Sequence, residues 1–247
     1  SSYIQGNGFL PIGSISVPFL GSLNGNNYEI ENLYENYPNQ NYIGLFGVID
    51  DAQVYMLNVS GSITGNDYVG GIVGYVSSGS LTYSTSGVSV NGNSYVGGVA
   101  GYLNNGTTIS SCDSSGAIYG STLVGGIAGA SVANITFCNS SSSISGKSNV
   151  GGIAGTALVV EDSYFTGSIN ASGNRAGGII GQFSSDTYGD DGCYYNACYI
   201  DRCYSEGTVK GADYVGGITG SVNEYAKIIN AYSTGAVTGN NYVGGVA

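Results

Sequence analysis

One short motif recurs eight times along this chain, and its spacing leaves few folds open. The string Tyr42-Ile43-Gly44-Leu45-Phe46-Gly47 returns as Tyr68-Val69-Gly70-Gly71-Ile72-Val73-Gly74, and its anchor continues through Val96, Val124, Val150, Ala176, Val215 and Val243. Successive anchors lie 26, 27, 28, 26, 26, 39 and 28 residues apart. Apolar residues keep register with them. One set runs Val54, Leu81, Ile109, Ile135, Val160, Ile200, Ile228, and a second Ile63, Val90, Ile118, Ile144, Ile169, Val209, Val237. A third follows the anchors, and a fourth is Ile72, Val99, Ile127, Ile153, Ile179, Ile218, Val246. Single β-branched residues spaced by polar ones specify short strands with one buried face, and no 3.6-residue apolar stripe persists. One such unit cannot bury its inward face alone. Copies stacked about 4.8 Å apart align like residues into a continuous narrow core. The expectation is an all-β, parallel β-solenoid (β-helix) of about eight coils, most of 26–28 residues, right-handed by the general rule for parallel crossovers.

The glycine pairs are expected either at corners taken through positive φ or where backbones approach closely. Residues 1–41 break the period and carry all three prolines, Pro11, Pro18 and Pro38. They are expected to be an N-terminal cap or irregular first coils, with repeats over 42–247 and an insertion at about 182–197. The sequence begins at polar Ser1 without a leader-like segment and stops inside a repeat at Val246-Ala247. The expectation is a mature chain or a fragment, with further coils or another protein chain covering the last rung.

Composition narrows the partners. With 44 Gly and 9 % charged residues the chain could be disordered, but 42 % hydrophobic residues held in register supply a core. Five basic residues against sixteen acidic ones leave a net charge of −11. That argues against nucleic acid and anionic membranes, because no basic cluster is present to neutralise phosphate. No apolar run reaches the roughly 18 residues that a membrane-spanning helix needs.

The residues resemble the GLUG-motif repeats of large secreted and surface proteins of microbes. The likeness rests on Ile43-Gly44-Leu45-Phe46-Gly47, on the Tyr-Val-Gly-Gly runs, on Cys203-Tyr204-Ser205-Glu206-Gly207-Thr208-Val209, and on the lead-in segment from Pro18 to Leu33. It covers about residues 18–247. Asn24 stands where that pattern often has Asp, and the 39-residue coil departs from it. The resemblance implies a β-solenoid in an adhesin-like or long surface protein and says little about a ligand.

Candidate chemistry starts from an absence: the chain has no His. Ser-His-Asp and Cys-His catalysis and His-ligated metals are thereby removed. Carboxylates remain, and Asp113, Glu161, Asp162, Asp186, Asp190, Asp191, Asp201 and Glu206 are the ones to weigh. A glycosidase needs two of them about 5–9.5 Å apart, and the expectation is that no two share a ladder. Asp186, Asp190 and Asp191 fall in the insertion and read either as a solvated acidic loop or as hard oxygen ligands for Ca²⁺. Cys112, Cys138 and Cys203 occupy one ladder position, either as small buried residues or, for Cys112 and Cys138 on successive rungs, as a vertical disulfide. Cys193 and Cys198 are better placed to staple the insertion. Sequons at Asn58, Asn105, Asn134, Asn139 and Asn170 permit glycosylation.

Two tyrosine sets are expected to face outward and stack: Tyr42, Tyr68 and Tyr95, then Tyr164, Tyr204 and Tyr232. Such stripes suit surface glycans or a partner chain, or they stabilise the ladder with no ligand. The functional expectation is a non-catalytic, extracellular structural or adhesive rod presenting a binding face. The alternatives are a filament of end-to-end stacked solenoids and a β-helix that binds or processes carbohydrate.

Overall fold

The computed structural model of the chain describes residues 3–4, 6–183, 198–222 and 225–246. Its strands form a β-solenoid of about eight turns with three sheets along the stack, and no helix occurs among the described residues. Pairing is parallel throughout, except where Gly8–Phe9 runs antiparallel to Tyr3–Ile4 and to Glu29–Asn36. Asn58–Thr64 and Thr85–Asn91 each cross two columns of the first sheet as one strand, whereas later coils break there into pairs such as Asp113–Ser114 and Ala117–Tyr119.

The four apolar sets stack as the repeat implies. Leu81 pairs with Val54 below and Ile109 above, and the column continues through Ile135, Val160, Ile200 and Ile228. Leu23 extends it downward. The second column runs from Ile63 to Val237 without a slip. In the fourth each carbonyl from Val99 to Val246 accepts two backbone N–H groups of the coil below, as Val99 O does from Ile72 at 2.9 Å and Val73 at 3.1 Å, and Val246 O from Ile218 at 3.1 Å and Thr219 at 2.9 Å. From Val54 to Ile200 every residue of the first column is fully buried. Each full burial is worth about 1.5–3 kcal/mol, so these columns are the main favourable term.

Corners are not turned by the glycine pairs. None of the paired glycines has positive φ; two columns of other residues do. One is Tyr42, Tyr68, Tyr95, Leu123, Asn149, Arg175, Tyr214 and Tyr242, at φ 52–64°. The other is Met56, Tyr83, Ser111, Phe137, Asp162, Arg202 and Asn230, at φ 48–54°. A left-handed residue with a side chain costs about 1–3 kcal/mol, and vertical stacking of side chains offsets part of that cost.

Of the two readings for the glycine pairs, close approach holds. A Cβ on Gly151 would overlap the carbonyl of Ala154 and sit 2.8 Å from the backbone nitrogen of Gly181. A Cβ on Gly126, the second of its pair, would overlap the Gly152 carbonyl and the Ser140 hydroxyl. That serine belongs to a column with Ser86, Ser114 and Ser205, all buried.

The described residues before 42 pair less regularly with the first full coil. Ser22–Asn24 lies on Ala52–Tyr55, and Glu29–Asn36 lies on Asn58–Thr64 with a slip between Ile30 and Leu33. The slip brings Glu35 beside Ile63, into the slot that Ile or Val fills in later coils. Glu35 is 1 % exposed, and neither of its carboxyl oxygens has a hydrogen-bond partner; the buried Tyr37 hydroxyl also lacks one.

Candidate functional site

The left-handed corner column directs its side chains outward, which is how it comes to carry tyrosines. Tyr42 stacks on Tyr68 at 4.9 Å between centroids, and Tyr68 on Tyr95 at 4.5 Å, with rings within 12° of parallel. Beside them Tyr75 stacks on Tyr102 at 5.4 Å, edge-on to the first column. The expected second set is also in place: Tyr164–Tyr204 at 4.9 Å and Tyr204–Tyr232 at 5.3 Å. Tyr214–Tyr242 at 4.7 Å makes a further pair. Sequence reasoning missed Tyr75, Tyr102, Tyr214 and Tyr242, although each holds a fixed offset from its glycine motif. Burial among these rings, with like groups on either side, pushes the Tyr68 phenol up to about 12.

This geometry limits the chemistry. A ring inside a column has a neighbour on each face, so Tyr68 and Tyr204 offer solvent only an edge and a hydroxyl. Each stacked pair contributes about 0.5–1.5 kcal/mol beyond burial. The middles of the columns are therefore stabilising, and a free face for a ligand exists only at a column end.

A carboxylate–arginine group lies where the 39-residue coil rejoins the stack. Glu161 and Asp201 are register partners on adjacent rungs, which corrects the expectation that no two carboxylates share a ladder. Arg202 holds them. Its Nε and Nη2 donate to the two oxygens of Asp162 at 2.6 and 2.8 Å, its Nη1 donates to Asp201, and Nη2 is 3.7 Å from Glu161. Tyr199 donates its hydroxyl to Glu161 at 3.2 Å, and Asn230 its amide to Asp201 at 3.0 Å. The Arg202 hydrogen bonds hold the Asp162 carboxyl below the usual range. A glycosidase pair needs one carboxyl kept protonated as the acid, whereas the hydrogen bonds from Arg202 favour the charged form of Asp162. Asp113 accepts an amide hydrogen bond from Asn139, and Glu206 is exposed between the strands Tyr204–Ser205 and Thr208–Lys210.

Cys112, Cys138 and Cys203 are free and buried, so the vertical Cys112–Cys138 bridge is not formed. Residues in register keep their Cβ atoms near the rung spacing of about 4.8 Å, beyond the roughly 3.8 Å a disulfide prefers. Their thiols instead point at backbone carbonyls, Cys138 Sγ lying 3.2 Å from Thr136 O. Burial raises the Cys138 thiol well above the ordinary range and pushes Cys203 up to about 12, so neither supplies a thiolate nucleophile near neutral pH. Cys198 is buried and disulfide-bonded. Cys193, Asp186, Asp190 and Asp191 lie outside the described residues. Peptide mapping without reduction is expected to recover Cys193 linked to Cys198, with the other three alkylated only after unfolding. Separate alkylation of Cys193 and Cys198 would rule the pairing out.

Among the sequons, Asn105, Asn134 and Asn170 are exposed. Asn58 and Asn139 already commit the nitrogen a glycan would take, to Asn27 O at 3.0 Å and to Asp113 at 3.0 Å.

No family model matches the chain, and no curated protein matches it. Among solved structures it is similar to a protein of Bacteroides ovatus provisionally named an immunoglobulin A1 protease. The TM-score is 0.50 at 18 % identity, over 95 % of this chain and 86 % of that one. At that identity the likeness is one of β-helical fold.

Proposed function

We propose that the chain is a non-catalytic structural element of the cell exterior, a stiff rod that presents side-chain columns as a binding face. The observation that carries this reading is the stacking of like residues over successive coils, inside as continuous apolar ladders and outside as tyrosine columns two or three rings long. A rod of this kind grows by adding coils, each supported by its neighbours. The resemblance to GLUG-motif repeats and the exposed sequons support the exterior setting. The absence of His and the pairing of Glu161, Asp162 and Asp201 with the Arg202 guanidinium support the non-catalytic part. Ca²⁺ has no part in this reading.

Incubation with neutral and acidic polysaccharides, and with unfolded protein as a peptide substrate, is expected to release no product. Product formation that disappears in Glu161→Gln or Asp201→Asn would overturn the reading, because those changes leave the backbone and the ladders untouched.

A further inference from the structure

We infer that the N-terminal end of the first tyrosine column is a binding site for one unit of a neutral glycan, with Tyr42 as its stacking platform. The inference rests on the binding-face reading above and gives that face a place and a ligand class. Tyr42 is the terminal ring: Tyr68 covers one face, and no ring among the described residues covers the other. On that side lies a cavity of about 380 Å³, lined by Tyr42, Leu10, Ile15, Val17, Gln40 and Asn41 among others.

The cavity wall is held open. Ser14 and Val17 exchange backbone hydrogen bonds at 2.9 and 3.2 Å, and the Ser14 hydroxyl accepts a second one from the Val17 N–H. This closed loop is flanked by Pro11 and Pro18. It keeps Ile15 and Val17 at 62 % and 72 % exposed rather than folded onto the core. Rigid display of apolar side chains beside an open ring face lowers the ordering cost of binding.

The rim selects the ligand. Asn41 Oδ1 accepts from the Asn66 amide at 2.9 Å and from the Asp67 N–H at 3.2 Å, which fixes the side chain with its NH₂ left to donate. Gln40 adds a second amide. No lining residue is charged, and the nearest Lys or Arg in sequence is Lys147. A pyranose matches this set: its C–H face lies on an aromatic ring while its edge hydroxyls meet amide donors and acceptors. A charged sugar would find nothing to pair with it, and a wholly apolar ligand would leave both amides unused.

The test titrates neutral gluco-, manno-, xylo- and galacto-oligosaccharides of three to six units, oligogalacturonate, and an apolar peptide, followed by NMR of the intact chain. Tyr42→Asn is the informative variant, because Asn149 occupies the equivalent corner at φ 54° and the backbone accepts asparagine there. At least one neutral series is expected to shift the resonances of the lining residues. Affinity should fall at least tenfold in Tyr42→Asn, fall less in Gln40→Ala, and stay unchanged in Tyr242→Asn, the same substitution in the last coil. Binding of no neutral series would overturn the inference and leave the rod reading standing. So would equal loss in Tyr242→Asn, or preference for the acidic series or the peptide. Cleavage of a bound glycan would instead overturn the non-catalytic reading and leave the site.

Discussion

Gly151→Ala is expected to destabilise the protein by more than about 4 kcal/mol, the range that marks an interior with no room to adjust. The added methyl would overlap the Ala154 carbonyl and press on the backbone of the next coil at Gly181, and neither is the end of a flexible side chain. The same coil supplies Val150 and Ile153 to two fully buried ladders. A backbone displaced there loses burial on the rungs above and below, because each coil is supported by its neighbours. Gly87→Ala is the matched control. Its Cβ would find nothing nearer than 3.8 Å and its φ is ordinary, so stability should hold or rise by about 0.4–1 kcal/mol through a less flexible unfolded chain. Denaturant unfolding followed by circular dichroism measures both. Equal midpoints for the two variants would mean that the glycine pairs tolerate a side chain and that close approach is not why they recur.

The inner ladders were legible because the same β-branched type returns at the same offset, so Val54, Leu81 and Ile109 identify one another. The corners were not. One left-handed column holds Tyr at five of its eight positions and Leu, Asn and Arg at the others, and the second holds Met, Tyr, Ser, Phe, Asp, Arg and Asn in turn, so glycine marks neither; glycine, the usual marker of positive φ, is recruited here for its missing Cβ. Glu161 and Asp201 each stand one place after a ladder residue, Val160 and Ile200. Their pairing follows once the outward neighbours of a ladder are aligned as carefully as the ladder. Tyr75 and Tyr102 could have been found in the same way. Glu35 could not, because the slip between Ile30 and Leu33 shifts which side chains face inward, and the period is already broken there.

Glu35 should make the first coil weaken as pH rises from about 4.5 to about 8. Burial pushes its carboxyl up to about 8 from an ordinary value of 4.5; the Gly44 N–H opposes this shift but falls short of a hydrogen bond. The other titratable group facing it is the Tyr37 phenol, raised by burial and then by Glu35. Glu29 and Glu31 on the same strand are exposed, and no Lys or Arg occurs before Lys147 to neutralise the site. The sign follows from proton counts. Below about pH 4.5 both folded and unfolded chains hold the proton, and the contribution is complete. Between the two values the folded chain binds one proton more, so stability falls by about 1.4 kcal/mol per pH unit. Above about pH 8 neither holds it and the loss is complete, at most about 5 kcal/mol by the same linkage. Glu35→Gln should abolish this slope, and the difference between the two proteins isolates it from every other titrating group. Glu35→Leu should do the same and also stabilise the coil at pH 8 by about 2–3 kcal/mol, since the slot beside Ile63 is apolar and a Leu side chain can be buried there. Thermal unfolding from pH 4.5 to 9 reads out all three proteins, with proteolysis of residues 8–41 reporting local opening. Parallel pH profiles for the original protein and Glu35→Gln would show that the carboxyl finds water or a partner in solution, and that its place in the ladder carries no electrostatic cost.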